Sequence, residues 1–205
     1  MRLPTIGRRS QPEPEVEEAP RPLRGVRMDL EEQAARLSQL APLVRGFQAP
    51  EGFHLWNGEY ESVDAEILWA MVKGLQPKRV TVIGASDPVR TLLRAMLAQD
   101  VDLKARPADL AARDVLIAGE PDADLVLGVL TELSPGVVVH VEGIKLPWPN
   151  GPGQDLLQAF LTGNRHFEIL LALHALAREN PDTVRKTVPS WRGTSQPRAL
   201  WLRRT

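Results

Sequence analysis

The residues with the clearest chemical potential lie in Arg79-Val-Thr-Val-Ile-Gly84-Ala-Ser-Asp-Pro88, where a β-branched run meets a glycine and then an Asp-Pro pair suited to start a helix. A strand–turn–helix unit aims backbone N–H groups at whatever sits over the helix N-terminus, and a glycine lets a polar ligand approach the main chain. Gly84, Ser86 and Asp87 are therefore candidate cofactor contacts. Ala85 and Ser86 add side chains where a second glycine would open the loop, and Pro88 removes one N–H from the first turn. The same residues also suit a plain tight turn with Asp87 as helix cap.

Two further groupings carry acid–base potential. His140 and Glu142 stand two apart, on one face of a strand. Glu120-x-Asp122-x-Asp124 offers oxygen ligands or a base, or simply acidic residues at a helix N-terminus, where the dipole favours them. If the strands ending near 118 and 141 are neighbours, Glu142 approaches Glu120 or Asp122 as a carboxylate pair of perturbed acidity. Glu142, His140 and Asp122 are accordingly the candidate catalytic set. His140, His166 and His174 each have the alternative of an ordinary core or surface imidazole. Trp148, between two prolines, suits either the mouth of a cleft or a plug at the core edge.

These residues need elements to hold them. Asp29 caps a helix, with Glu32 three residues on and Leu30, Ala34, Leu37 and Leu40 along one face until Pro42. A second helix is predicted from about Asp64 to Leu75, with Ser62 and Asp64 as caps and Pro77 beyond. Strand Val80–Ile83 follows, then a helix with Val89, Leu92, Leu93, Met96 and Leu97 as its apolar stripe. Strands are predicted at Asp114–Ala118, Val137–Val141, Phe167–Leu173 and Ala199–Leu202, with a short one at Val101–Ala105. Helices are expected around Leu125–Leu133 and Asp155–Leu161, and a long polar connection joins the last two strands. Alternating strands and helices predict an α/β fold, an open sheet with helices on both faces.

Composition bounds the rest. The 205 residues carry 43% hydrophobic content, enough for one core, and a net charge of −1, which lacks the footprint of a nucleic-acid binder. Residues 1–27 hold five prolines and a Glu cluster, and read as a disordered tail ahead of a domain spanning 28–205. With no cysteine, no signal segment and no run of about 18 apolar residues, the expectation is a cytoplasmic chain without a membrane partner.

Several segments taken together resemble a known family. Gly58-Glu-Tyr-Glu-Ser-Val-Asp-Ala-Glu-Ile-Leu-Trp-Ala-Met-Val72, Asp114-Val-Leu-Ile, Pro135-Gly-Val-Val-Val-His-Val141, Ile144-Lys-Leu-Pro-Trp148, Leu156-Leu-Gln-Ala-Phe-Leu161 and Leu200-Trp-Leu-Arg203 are similar to the class I S-adenosylmethionine-dependent methyltransferases of bacterial small-molecule or glycan-modifying type. The similarity covers roughly 52–205. It implies a Rossmann-like doubly wound sheet, mostly parallel with an antiparallel last strand, and S-adenosylmethionine lying across the carboxyl ends of the first and fourth strands. It also places Glu59 and Tyr60 over that cleft as cofactor contacts, beside Gly84, Ser86 and Asp87.

The family's functional positions are altered here. Its Glu-hydrophobic-Gly-x-Gly motif becomes Val82-Ile-Gly84-Ala-Ser86, the Asp ending its fourth strand becomes Gly119, and the Asp of the His-Asp ending its fifth becomes Gly143. Thirty residues separate Gly84 from Asp114, and a three-turn helix takes about 11 of them. The part of the fold between the first and fourth strands is thus shortened, and a shallow pocket poor in acidic groups is expected.

Three readings follow. One is a pseudoenzyme that has lost donor binding and serves as a scaffold or partner subunit, with a protein partner or a second copy. Another is an active O- or N-methyltransferase on a small molecule or glycan, using Glu142 or His140 as base with Asp122 assisting. The last is a binder of another nucleotide-like ligand.

Overall fold

The computed structural model describes residues 19–97, 101 and 105–205. Its centre is a five-stranded open sheet of order β1-β2-β3-β5-β4, built from β1 (Val80–Ile83), β2 (Val115–Ala118), β3 (Val138–Val141), β4 (Phe167–Ala172) and β5 (Leu200–Arg204). β1, β2 and β3 pair in parallel, and β5 runs antiparallel to both of its neighbours. Successive side chains on a strand face opposite ways, so each strand feeds two cores. Val80, Val115, Ile117, Val138, Leu171 and Trp201 belong to one apolar cluster, and Leu116, Ala118, Val139, Val141, Leu200 and Leu202 to the other. The near-continuous apolar runs of β2 and β3 follow from this burial on both faces.

On the first face pack α1 (Leu30–Gln39), α2 (Ala41–Val44), α3 (Ser62–Leu75), α4 (Asp87–Met96), α7 (Leu173–Glu179) and α8 (Pro181–Thr187). The second face is covered by a π-helical turn (Asp124–Val129) running into α5 (Leu130–Glu132), and by α6 (Pro152–Gly163). The Asp29 cap of α1 forms as expected, its carboxylate accepting the Glu32 N–H at 3.0 Å. α4 carries the predicted stripe, with Val89, Leu92, Leu93 and Met96 all buried. Its N-cap is Ser86 rather than Asp87, which lies inside the first turn.

Three segments depart from the sequence reading. The polar connection after β4 holds α7 and α8, because Leu173, Leu176 and Val184 bury their side chains and Asn180-Pro181 restarts the helix. Of the predicted 1–27 tail, residues 1–18 lie outside the described residues, but the following stretch is fastened to the domain. Arg21 donates its N–H to the Pro147 carbonyl at 2.9 Å and pairs with Asp155 at 2.6 Å, while Leu23 and Val26 are partly buried beside α6. The predicted strand at 101–105 falls mostly outside the described residues; Ala105 accepts the Thr81 hydroxyl at 2.6 Å.

The free edge of β4 is protected. Ala172 N–H is taken by the buried Gln33 side chain of α1 at 2.8 Å. No helix among the described residues is long and apolar enough to cross a membrane.

Candidate functional site

Parallel strands bring their carboxyl ends to one edge, and here β1, β2 and β3 end in Gly84, Gly119 and Glu142-Gly143. Together with the 58–60 loop, Asp64 of α3 and Arg198 they enclose a cavity of about 260 Å³. Glu59, Tyr60, Gly84, Ser86 and Glu142 all line it, so most of the sequence-predicted contacts converge. Asp87 is exposed and does not line the cavity, because it belongs to the turn of α4 beyond the cap. Asp122 is also elsewhere: its carboxylate accepts the Leu125 N–H at 2.8 Å and caps the π-helical turn. Glu120, not Asp122, is the acid beside Glu142.

Glu142 is the pivot of the site. It is 8% exposed, and its Oε1 accepts the Ser86 backbone N–H at 3.0 Å. Burial raises its pKa, and the charges of Glu59 and Glu120 push the same way. The amide that a glycine-loop cofactor site would offer to a ligand is thus engaged by an internal carboxylate.

His140 is fully buried in β3 and does not line the cavity, which its neighbour Tyr60 does. Its Nε2 is 2.9 Å from the Tyr60 hydroxyl, and its ring stands edge-on to Trp201 with centroids 4.9 Å apart. Burial holds its pKa down to about 3, so the imidazole is neutral at physiological pH and acts as a hydrogen-bonding partner of Tyr60. Tyr60→Phe removes the only side-chain hydrogen-bond partner of His140 among the described residues, since Nδ1 has none. Its expected cost is about 1–3 kcal/mol of stability, read by urea denaturation; an unchanged midpoint would show that the pair is idle.

Asp64 was expected as a helix cap with Ser62, but the N-cap is Glu61. Asp64 instead reaches across to the start of β5, accepting Arg198 N–H at 2.9 Å and Ala199 N–H at 3.0 Å. Burial drives its pKa up to about 7 despite these bonds. Nothing in the sequence pairs residues 64 and 198, which are brought together only when β5 inserts beside β3. The cavity is small, yet not poor in acids: Glu59, Asp64, Glu120 and Glu142 all line it. Two of these come from the loop and helix preceding β1, which strand-end counting does not reach.

The two glycines at the strand ends have a steric cause. A Cβ on Gly119 would sit 2.1 Å from the Gly84 carbonyl oxygen, and one on Gly143, at φ +74°, would sit 2.7 Å from Glu120 Cγ. Trp148 is buried against His174, centroids 5.3 Å apart, and plugs the core rather than lining a mouth. His174 in turn contacts the Pro197 carbonyl at 3.2 Å, and burial lowers its pKa to about 4. Among the described residues, no three His, Asp or Glu side chains are grouped to hold a metal ion.

No family model, curated protein or solved structure matches the chain.

Proposed function

We propose that the chain is a methyltransferase-family protein with a Rossmann-like sheet whose donor crevice has closed, and that it works as a non-catalytic scaffold or partner subunit. The observation that carries this reading is the Glu142 carboxylate on the Ser86 N–H, at 3.0 Å. In a donor-binding crevice that amide would face the ligand; here a buried side chain of the same protein already satisfies it. Size supports the same reading. The 260 Å³ cavity falls below the roughly 300–1,000 Å³ typical of small-molecule sites. Ala85, Ser86 and the internal carboxylate do not fit S-adenosylmethionine, so no methyl-transfer step is assigned to Glu142, His140 or Asp122.

The test is a thermal titration with S-adenosylmethionine and S-adenosylhomocysteine at millimolar concentration. A ligand at 100 times its Kd would add about 2.7 kcal/mol, or very roughly 5–11 °C for a domain of this size. The expected result is no shift with either compound. A shift that disappears when Gly84 is replaced by Val would overturn the reading in favour of a working donor site. A shift with adenosine alone would favour a nucleotide-like ligand.

A further inference from the structure

A second cavity, of about 270 Å³, shares Gly58, Glu59, Asp64 and Arg198 with the first. Glu59, Glu61 and Asp64 bring acidic groups to its lining, Lys145 and Arg198 basic ones, and Thr194, Ser195 and Gln196 complete it. The 191–196 loop is fastened in place rather than draped. Trp191 Nε1–H donates to the Ser195 carbonyl at 3.0 Å, and the Arg192 guanidinium lies 3.8 Å over the ring of Trp56. Trp56 itself is 49% exposed and adjoins Gly58 through Asn57. The charge of Arg198 acts on Asp64 and that of Glu59 on Glu142.

A cavity lined by both acidic and basic groups disfavours a ligand of either single sign, because each would meet like charges in the lining. A molecule carrying both signs can place each charge against an opposite one. We propose that this cavity binds a small zwitterion, such as an α- or β-amino acid, with its ammonium toward Glu59 and Glu61 and its carboxylate toward Arg198. A volume of about 270 Å³ restricts the occupant to a few heavy atoms beyond those two groups. This site goes beyond the scaffold reading and would make such a scaffold responsive to a metabolite.

The experiment is a thermal titration of the full chain with glycine, β-alanine and L-serine at millimolar concentration. Ethanolamine and acetate at matched ionic strength serve as single-charge controls. At least one zwitterion is expected to raise the melting temperature by a few degrees, with neither control doing so. Glu59→Gln and Arg198→Gln are each expected to weaken that binding by about tenfold or more, since charge-assisted hydrogen bonds are the strong ones. Both variants should melt near the parent without ligand, because Asp64 is held by the backbone N–H of Arg198, not by its side chain.

Silence with all three zwitterions, an equal response to a single-charge control, or full affinity in both variants would overturn the proposal. S-adenosylmethionine, which carries the same ammonium and carboxylate, is run in parallel. Binding that Gly84→Val abolishes would overturn the scaffold reading alone, while silent amino acids would sink only this one.

Discussion

Gly119→Ala should destabilise the protein by at least about 3 kcal/mol, lowering its melting temperature by roughly 6–12 °C. A Cβ at this position would lie 2.1 Å from the Gly84 oxygen and 2.7 Å from its carbonyl carbon, both main-chain atoms that no rotamer change can move. Relief requires the ends of β1 and β2 to part, which breaks the Gly119 N–H bond to the Ile83 carbonyl at 2.9 Å. Gly84→Ala is the control. Its Cβ meets nothing within 4 Å, and only the φ of +62° is strained, at about 1–2 kcal/mol. Urea denaturation of the two variants decides the matter, and equal losses would refute the closed contact. The same clash predicts that Gly119→Asp, which restores the carboxylate of the resembled family, unfolds the strand ends before it can bind anything.

Asp64→Ala is the second large loss. It strips the acceptor from the Arg198 and Ala199 N–H groups, one of them on a buried residue, for about 2–6 kcal/mol at roughly 1–3 per orphaned donor. Asp64→Asn keeps a carbonyl acceptor and separates geometry from charge. Asp64 has a folded pKa of about 7 against an ordinary value of 3.8, so between those values the folded protein holds a proton that the unfolded chain has released. The stability it contributes is therefore full below about pH 4 and is lost as the pH rises through 7.

Relative to the parent, Asp64→Asn should accordingly gain stability between about pH 4 and 7, by up to about 1.4 kcal/mol per pH unit. The comparison with the parent matters because His140 and His174, whose folded pKa values are depressed to about 3 and 4, act in the opposite sense. They favour the folded state as the pH rises toward 6.5. A difference between Asn variant and parent that does not change with pH would show that Asp64 is ionised throughout.

Much of the framework was legible because its signals are local. β-branched runs marked β1, β2 and β3, and the spacing of Val89, Leu92, Leu93 and Met96 marked α4. α7 and α8 were missed because each is only seven residues long, too short for a clear apolar period, and α7 continues directly from the apolar strand β4. At the candidate site, Gly84, Ser86, Glu142, Glu59 and Tyr60 line one cavity because strand ends and the loop before α3 meet in space. Asp87 and Asp122 read as candidates by type, but helix starts hold acidic residues for their own electrostatic reasons. Arg198 and the latch of Asp64 onto it were not legible, since a contact spanning 134 positions depends on how the last strand enters the sheet.

That insertion has a kinetic side. β5 is the latest of the five strands in sequence, yet it lies between β3 and β4 and supplies the described sheet pairing of β4. A nascent chain therefore cannot finish the sheet in the order it is synthesised. β4 must wait, with Gln33 and the shelter of α1 keeping its edge quiet, until residues 200–204 emerge and thread between the two. Long-range pairing of this kind slows assembly, and a chain stopped before Leu200 would leave β4 without a strand partner and one edge of β3 open to aggregation.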